Sequence, residues 1–247
     1  MSSPSAVGTV DPDVVPSAKR PDPTRSPHPP TWALEVCQAV TGTVFVAFVL
    51  FHMLGNLKVY IGADDFNHYA AWLRTLFNPL VPGDGVLWIL RVVLVLCLIL
   101  HVYGAITLYC RARIARGGHG RKLLANRIGA RTMIWTGLIL LLFIIFHILD
   151  LTLGVQPMAT SHFVHGDAYQ NLIYSFQRPA VAIFYCLAIA LLAVHLSHGV
   201  WSLISDFGGT GSRLRSLFFI IAGLVAIVLL LGDISIPIAV QIGFLTL

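Results

Sequence analysis

The chain has 247 residues, of which 57% are hydrophobic and only 11% charged, with a mean hydropathy of +0.81. A soluble domain carries about 25% charged residues, so this composition excludes an ordinary soluble protein and points to an integral membrane protein. The net charge of +5 is not a nucleic-acid footprint, because nearly all of it flanks apolar runs, where basic residues act as topology signals.

Residues 1–30 are rich in Pro, Ser and Asp with almost nothing apolar to bury, and a disordered cytoplasmic tail is expected there. The tail lacks the apolar core of a secretory signal, so export by cleavage is not expected. A membrane domain over 31–247 follows, with apolar runs at 32–57, 86–110, 132–154, 179–204 and 214–239. Each reaches the ~20 residues that carry a helix across ~30 Å of hydrocarbon. Short alternating strands are missing, so a membrane barrel is not the reading. The expected fold is an all-α integral membrane protein, a bundle of five transmembrane helices.

Twelve of the 16 Lys and Arg residues lie on one side: Lys19, Arg20 and Arg25 in the tail, Arg111, Arg113, Arg116, Arg121, Lys122, Arg127 and Arg131 between spans two and three, and Arg213 and Arg215 before span five. The positive-inside bias makes that side cytoplasmic, with the N-terminus inside and the C-terminus outside. The connections at 58–85 and 155–178 then face outward. The first holds DDFNHYAAWL, whose apolar spacing suits a short amphipathic helix on the membrane surface. The four cysteines form no CxxC pair, which argues against a disulfide framework or a structural zinc site.

Four of the spans each carry a histidine: His52, His101, His147 and His195. An ionisable side chain inside a span is costly and is a functional hypothesis by default. One such residue is as readily a packing residue bonded to a neighbouring helix; one in each of four helices is not. At a rise of 1.5 Å per residue, His101 and His195 lie roughly 15 and 16 Å from the inner side, and His147 and His52 roughly 24 and 30 Å. The depths pair His101 with His195 and His52 with His147. Two imidazoles facing each other across a bundle are what a haem iron needs as axial ligands, with the apolar helices supplying the slot. Gly55, Gly104 and Gly199 beside these histidines allow close approach, of a ring or simply of a helix. His198 sits three residues after His195 on nearly the same face, as a rival ligand or a propionate partner; depth favours His195.

The stretches FHMLGNLKVYIGADDFNHYAAWL, RVVLVLCLILHVYGAITL, RTMIWTGLILLLFIIFHILDLT and QNLIYSFQRPAVAIFYCLAIALLAVHLSHGVWSLISDFGG together resemble, in order, the cytochrome b membrane-anchor subunit of succinate dehydrogenase (respiratory complex II). The resemblance is to the single-chain, five-helix kind and covers roughly 32–210. It implies two b haems held by His52, His101, His147 and His195, and flavoprotein (FAD) and iron–sulfur subunits docked on the cytoplasmic face. It also implies electron transfer to a quinone, usually menaquinone in bacteria, in a multi-pass plasma-membrane protein that does not oxidise succinate by itself.

Alternatives stay open at this level. Cys97 shares a helix face with His101, and Cys186 lies in the same span as His195; two Cys and two His are the ligand set of a Rieske-type [2Fe–2S] cluster. Against it, Cys186 and His195 are about 900° of helical rotation apart, on roughly opposite faces. Arg91, Arg178 and Arg131 (the last with Trp135) sit at span ends, where they either hold haem propionates or snorkel. Quinone reduction needs a titratable group beside an apolar slot. Candidates are Asp150 with Asp64, Asp65 and His68 on the outer side, and Glu35, near Trp32 and Gln38, on the inner side. Two other functional classes compete: a cofactor-free structural anchor, and a proton relay through the four histidines.

Overall fold

The computed structural model describes residues 29–81, 83–116, 124–206 and 211–247, the side chains at 116, 124–131, 201–206, 212, 214 and 215 excepted. The chain divides into Met1–Pro30 and Thr31–Leu247, and the expected tail lies outside the described residues except for Pro29 and Pro30.

In hydrocarbon, backbone N–H and C=O groups must find partners within their own segment, so long runs of Leu, Ile, Val and Phe coil into helices. The described regular structure is helical: α1 Thr31–Asn56, α2 Ala63–Arg74, α3 Gly85–Arg116, α4 Leu124–His147, α5 Ala168–Phe176, α6 Pro179–Asp206 and α7 Ser212–Gln241. Five of them, α1, α3, α4, α6 and α7, are long and apolar enough to cross a membrane. α6 opens with Pro179 at its first position, where a missing N–H costs no hydrogen bond.

The connections on either side of α2 and α5 lie at one end of the bundle, here called the capped end. α2 packs on α5 there, and Asn67 stitches the two. Its Nδ2 donates to Asp167 Oδ1 at 2.9 Å, while its Oδ1 accepts from the Tyr169 backbone N–H at 3.0 Å. Tyr169 Oη donates to the Thr246 carbonyl at 2.8 Å, tying the C-terminal segment to the same end. α1 begins and α3 finishes at the opposite, open end. The amphipathic helix expected after span one is α2: Phe66 is buried beneath it, while Asp64, Asp65 and His68 are exposed.

Two features depart from the expected outline. The connection at 155–178 contains a helix of its own, α5, started by Asp167, whose carboxylate accepts from the Gln170 N–H at 3.0 Å. α5 buries Leu172, Ile173 and Phe176 against the bundle. The third span does not end as a plain α-helix: after His147 the chain widens into a π turn over Ile148–Leu153. Gly154 ends that turn at φ +68°, and a side chain there would collide with the Phe163 ring; only glycine meets both demands cheaply.

Helix neighbours define a square. α1 packs on α3 and on α6, α4 packs on α6 and touches α3, and α7 covers α1 and α6 from outside. Across this square α1 therefore faces α4, and α3 faces α6. The apolar side chains of α3, among them Ile89, Val92, Val95 and Ile99, are exposed, which in a membrane means that they face lipid.

Candidate functional site

The diagonal pairs of the square carry the four intramembrane histidines. His52 on α1 and His147 on α4 face each other with ring centroids 5.8 Å apart and planes at 90°. His101 on α3 and His195 on α6 occupy the other diagonal. Apolar rings hold the imidazoles: Phe48 stacks on His52 at 5.4 Å, Phe45 meets His101 edge-on at 5.7 Å, and Phe143 lies 5.8 Å from His147. None of the four histidines is fully buried. His52 is exposed on the side of the bundle.

Three histidines have one ring nitrogen engaged by a hydroxyl. Thr41 Oγ1 lies 2.9 Å from His101 Nδ1, and Thr136 Oγ1 lies 3.0 Å from His195 Nδ1. Each threonine has a single hydrogen and points it at a carbonyl of its own helix, Cys37 at 2.7 Å and Thr132 at 2.8 Å. Toward the histidine the hydroxyl therefore accepts, Nδ1 carries the proton, and Nε2 keeps its lone pair. His147 follows the same logic. Its Nδ1 lies 3.3 Å from Tyr185 Oη, which in turn donates to Asp150 Oδ2 at 3.1 Å.

Asp150 anchors a polar cluster at the capped end. The π turn swings it inward, where its side chain has no exposed surface. Its carboxylate accepts from Ser175 Oγ at 2.5 Å, Tyr185 Oη at 3.1 Å and Arg178 Nη2 at 2.7 Å. Arg178 also donates through Nη1 to the Met158 carbonyl at 2.6 Å. A buried carboxylate persists only when paired and hydrogen-bonded, and all three donors come from residues that α5, α6 and their junction supply. The result is a continuous chain from half-buried Arg178 through Asp150 and Tyr185 to His147.

The remaining candidates are more scattered. Arg91 lies with its guanidinium 5.0 Å over the Trp88 ring at the exposed start of α3. Glu35 is half-buried near the open end of α1, one turn from Gln38, whose amide donates to the His101 carbonyl. The side chain of Arg131 lies outside the described residues, and Trp135 is largely exposed. His198 is half-buried and within reach of His195. Of the glycines beside the histidines, Gly55 admits the Tyr69 ring and Gly104 admits the Gln38 amide, while Gly199 borders open space.

A metal ion between two imidazoles sits about 2 Å from each ligating nitrogen, which places the ring centroids about 6 Å apart. The His52–His147 separation of 5.8 Å meets that requirement. So does the chemistry of the donors, since a ligating histidine commonly donates its other N–H to a fixed acceptor. Cys97 and Cys186 are half-buried free thiols. Among the described residues no three His, Cys, Asp or Glu side chains converge on one point, so Cys97, Cys186, His101 and His195 are not gathered as a four-ligand cluster. The separation of His52 and His147 fits a pair of ligands on one metal ion.

Thr41, Thr136, Tyr185 and Ser175 were not among the residues singled out from the sequence, nor was Asp233, an intramembrane carboxylate on α7 that Asn56 hydrogen-bonds. A signal for the threonines does exist. Thr41-Gly42 precedes Phe51-His52 at the same spacing at which Thr136-Gly137 precedes Phe146-His147, with Phe48 matching Phe143 between them. No protein-family model, curated protein or solved structure matches the chain.

Proposed function

We propose that this chain is the cytochrome b membrane anchor of a succinate:quinone oxidoreductase, a bacterial plasma-membrane protein with its N-terminus in the cytoplasm. In this reading His52 and His147 hold one b haem and His101 and His195 a second. The observation that carries it is the diagonal placement of both histidine pairs in an apolar four-helix square, with Nδ1 of three rings already committed. Each haem would supply a one-electron carrier at its own level of the membrane.

The protein's own residues do the rest. The four helices exclude water and set the two levels. Thr41, Thr136 and Tyr185 hold protons on Nδ1, and the phenylalanines pack the ring edges. The basic open end is the docking face for the flavoprotein and iron–sulfur subunits. Asp150 at the capped end and Glu35 at the open end are the titratable groups beside which a quinone, menaquinone in most bacteria, would find its protons. In this assignment Arg178 serves Asp150 rather than a propionate, since its guanidinium is already bonded to that carboxylate.

The test is a dithionite-reduced minus oxidised optical spectrum of the protein purified from membranes, with haem quantified per chain. Two b haems per chain are expected. A second reading, a cofactor-free anchor, draws on the same hydroxyl–histidine bonds, which by themselves join helices. A purified chain without a chromophore would establish that reading and end the first.

A further inference from the structure

We propose that Thr41 and Thr136 are a symmetry-related pair of positioning residues. Each fixes the tautomer and aim of the histidine on the neighbouring helix, so that His101 and His195 present Nε2 to one shared haem iron. The inference rests on the haem reading above and assigns a role to residues outside the ligand set.

The sequence repeat and the packing support it independently. α1 and α4 carry the same pattern, Thr-Gly followed at fixed spacing by Phe, then Phe-His. The neighbour relations match it: α1 packs on α3 as α4 packs on α6, and α1 touches α6 as α3 touches α4. An approximate two-fold axis along the bundle therefore exchanges α1 with α4 and α3 with α6, the arrangement of a parallel internal repeat. Under that axis His52 exchanges with His147 and His101 with His195, so each ligand pair straddles it. Thr41 exchanges with Thr136, and the two reach the same atom, Nδ1, of exchanged histidines at 2.9 and 3.0 Å.

The local chemistry gives the threonines the right properties. A threonine in a helix can bond its hydroxyl to the carbonyl one turn back, which limits its rotamer. Here that bond orients the acceptor lone pair toward the imidazole as well as spending the hydroxyl hydrogen. The following glycines keep the ring edge clear: a Cβ at Gly42 would lie 3.7 Å from His101 Cε1, and one at Gly137 would lie 3.4 Å from His195 Cε1. Both are ordinary contact distances, so each imidazole packs directly against the glycine that follows its threonine. Thr43 provides an internal contrast. It makes the same bond to its own helix, to the Ala39 carbonyl at 2.8 Å, yet its counterpart is Leu138, so this bond is not part of the repeat.

A fixed acceptor for Nδ1–H makes the imidazole a stronger donor to oxidised iron, and its removal commonly weakens metal binding about 10- to 100-fold. The experiment compares Thr41→Val and Thr136→Val with Thr41→Ser, Thr136→Ser and Thr43→Val in the full chain purified from membranes. Haem per chain and a spectroscopic redox titration are the readouts. Each valine variant should change one haem and spare the other. The affected haem should be retained about tenfold less well, or its oxidised-to-reduced ratio at a fixed potential should fall about tenfold, about 59 mV for one electron. The serine variants and Thr43→Val should match the parent. If the double Thr41→Val/Thr136→Val variant keeps both haems at their original potentials, or if serine fails where valine fails, the positioning role is wrong while the haem reading stands. A parent protein without haem removes both.

Discussion

Removing Arg178 should expose how much of the capped end depends on neutralising Asp150. The carboxylate is fully buried, whereas Arg178 keeps 30% of its side chain exposed, so the two halves of the pair are not equivalent. Arg178→Ala strands a buried charge with only Ser175 and Tyr185 as donors, and breaking a buried pair in this way costs about 3–5 kcal/mol. Asp150→Asn leaves a cation that retains the Met158 carbonyl at 2.6 Å and some solvent, so its cost should be near that of one charged hydrogen bond, about 1.5–3 kcal/mol. Combining the two substitutions removes the stranded charge, and the double variant should be more stable than Arg178→Ala alone, with a coupling of about 1–3 kcal/mol. For a domain of this size 1 kcal/mol moves the melting temperature by about 2–4 °C. Arg178→Ala should therefore melt roughly 6–20 °C below the parent in detergent, followed by thermal shift or loss of helical circular dichroism. A shift of less than about 2 °C, or a double variant no more stable than Arg178→Ala, would refute the idea that Arg178 compensates a buried charge.

Other outcomes follow from the same geometry. On the proposed two-haem reading, His52→Ala and His147→Ala should remove the same component from the reduced-minus-oxidised spectrum, and His101→Ala and His195→Ala the other; a variant series that splits any other way would break the diagonal pairing. Tyr185→Phe takes the acceptor from His147 and a donor from Asp150, with an expected cost of about 1–3 kcal/mol and, for the haem proposed between His52 and His147, a shifted potential read by redox titration. Gly154→Ala forces a side chain into a left-handed turn against Phe163 and should cost about 1–3 kcal/mol in thermal melts, whereas Gly223→Ala, with nothing within 4 Å of an added Cβ, should leave the melting temperature nearly unchanged. Asn67→Ala removes both bonds that join α2 to α5 and should raise hydrogen exchange across both helices more than in α6.

The sequence by itself determines the number of long apolar helices and their approximate bounds, because length and hydropathy are local properties that the bilayer reads directly. His52, His101, His147 and His195 are legible for the same reason, since a titratable ring in an apolar run stands out without any knowledge of its neighbours. The spacing of Thr41-Gly42 and Thr136-Gly137 ahead of His52 and His147 was also there to be read, but nothing local marks a helical threonine as a partner of a ring on another helix. What only the tertiary structure decides is which helices stand diagonally. That arrangement follows from side-chain packing between segments far apart in the chain and gives Thr41 to His101 and Thr136 to His195. The fate of Asp150 is similar. Sequence made it a candidate titratable group for a quinone on the outer side, and the π turn after His147 carries it inward to Ser175, Arg178 and Tyr185. A single widened turn has no signature in hydropathy, because the residues that reward it lie 25 to 35 positions away.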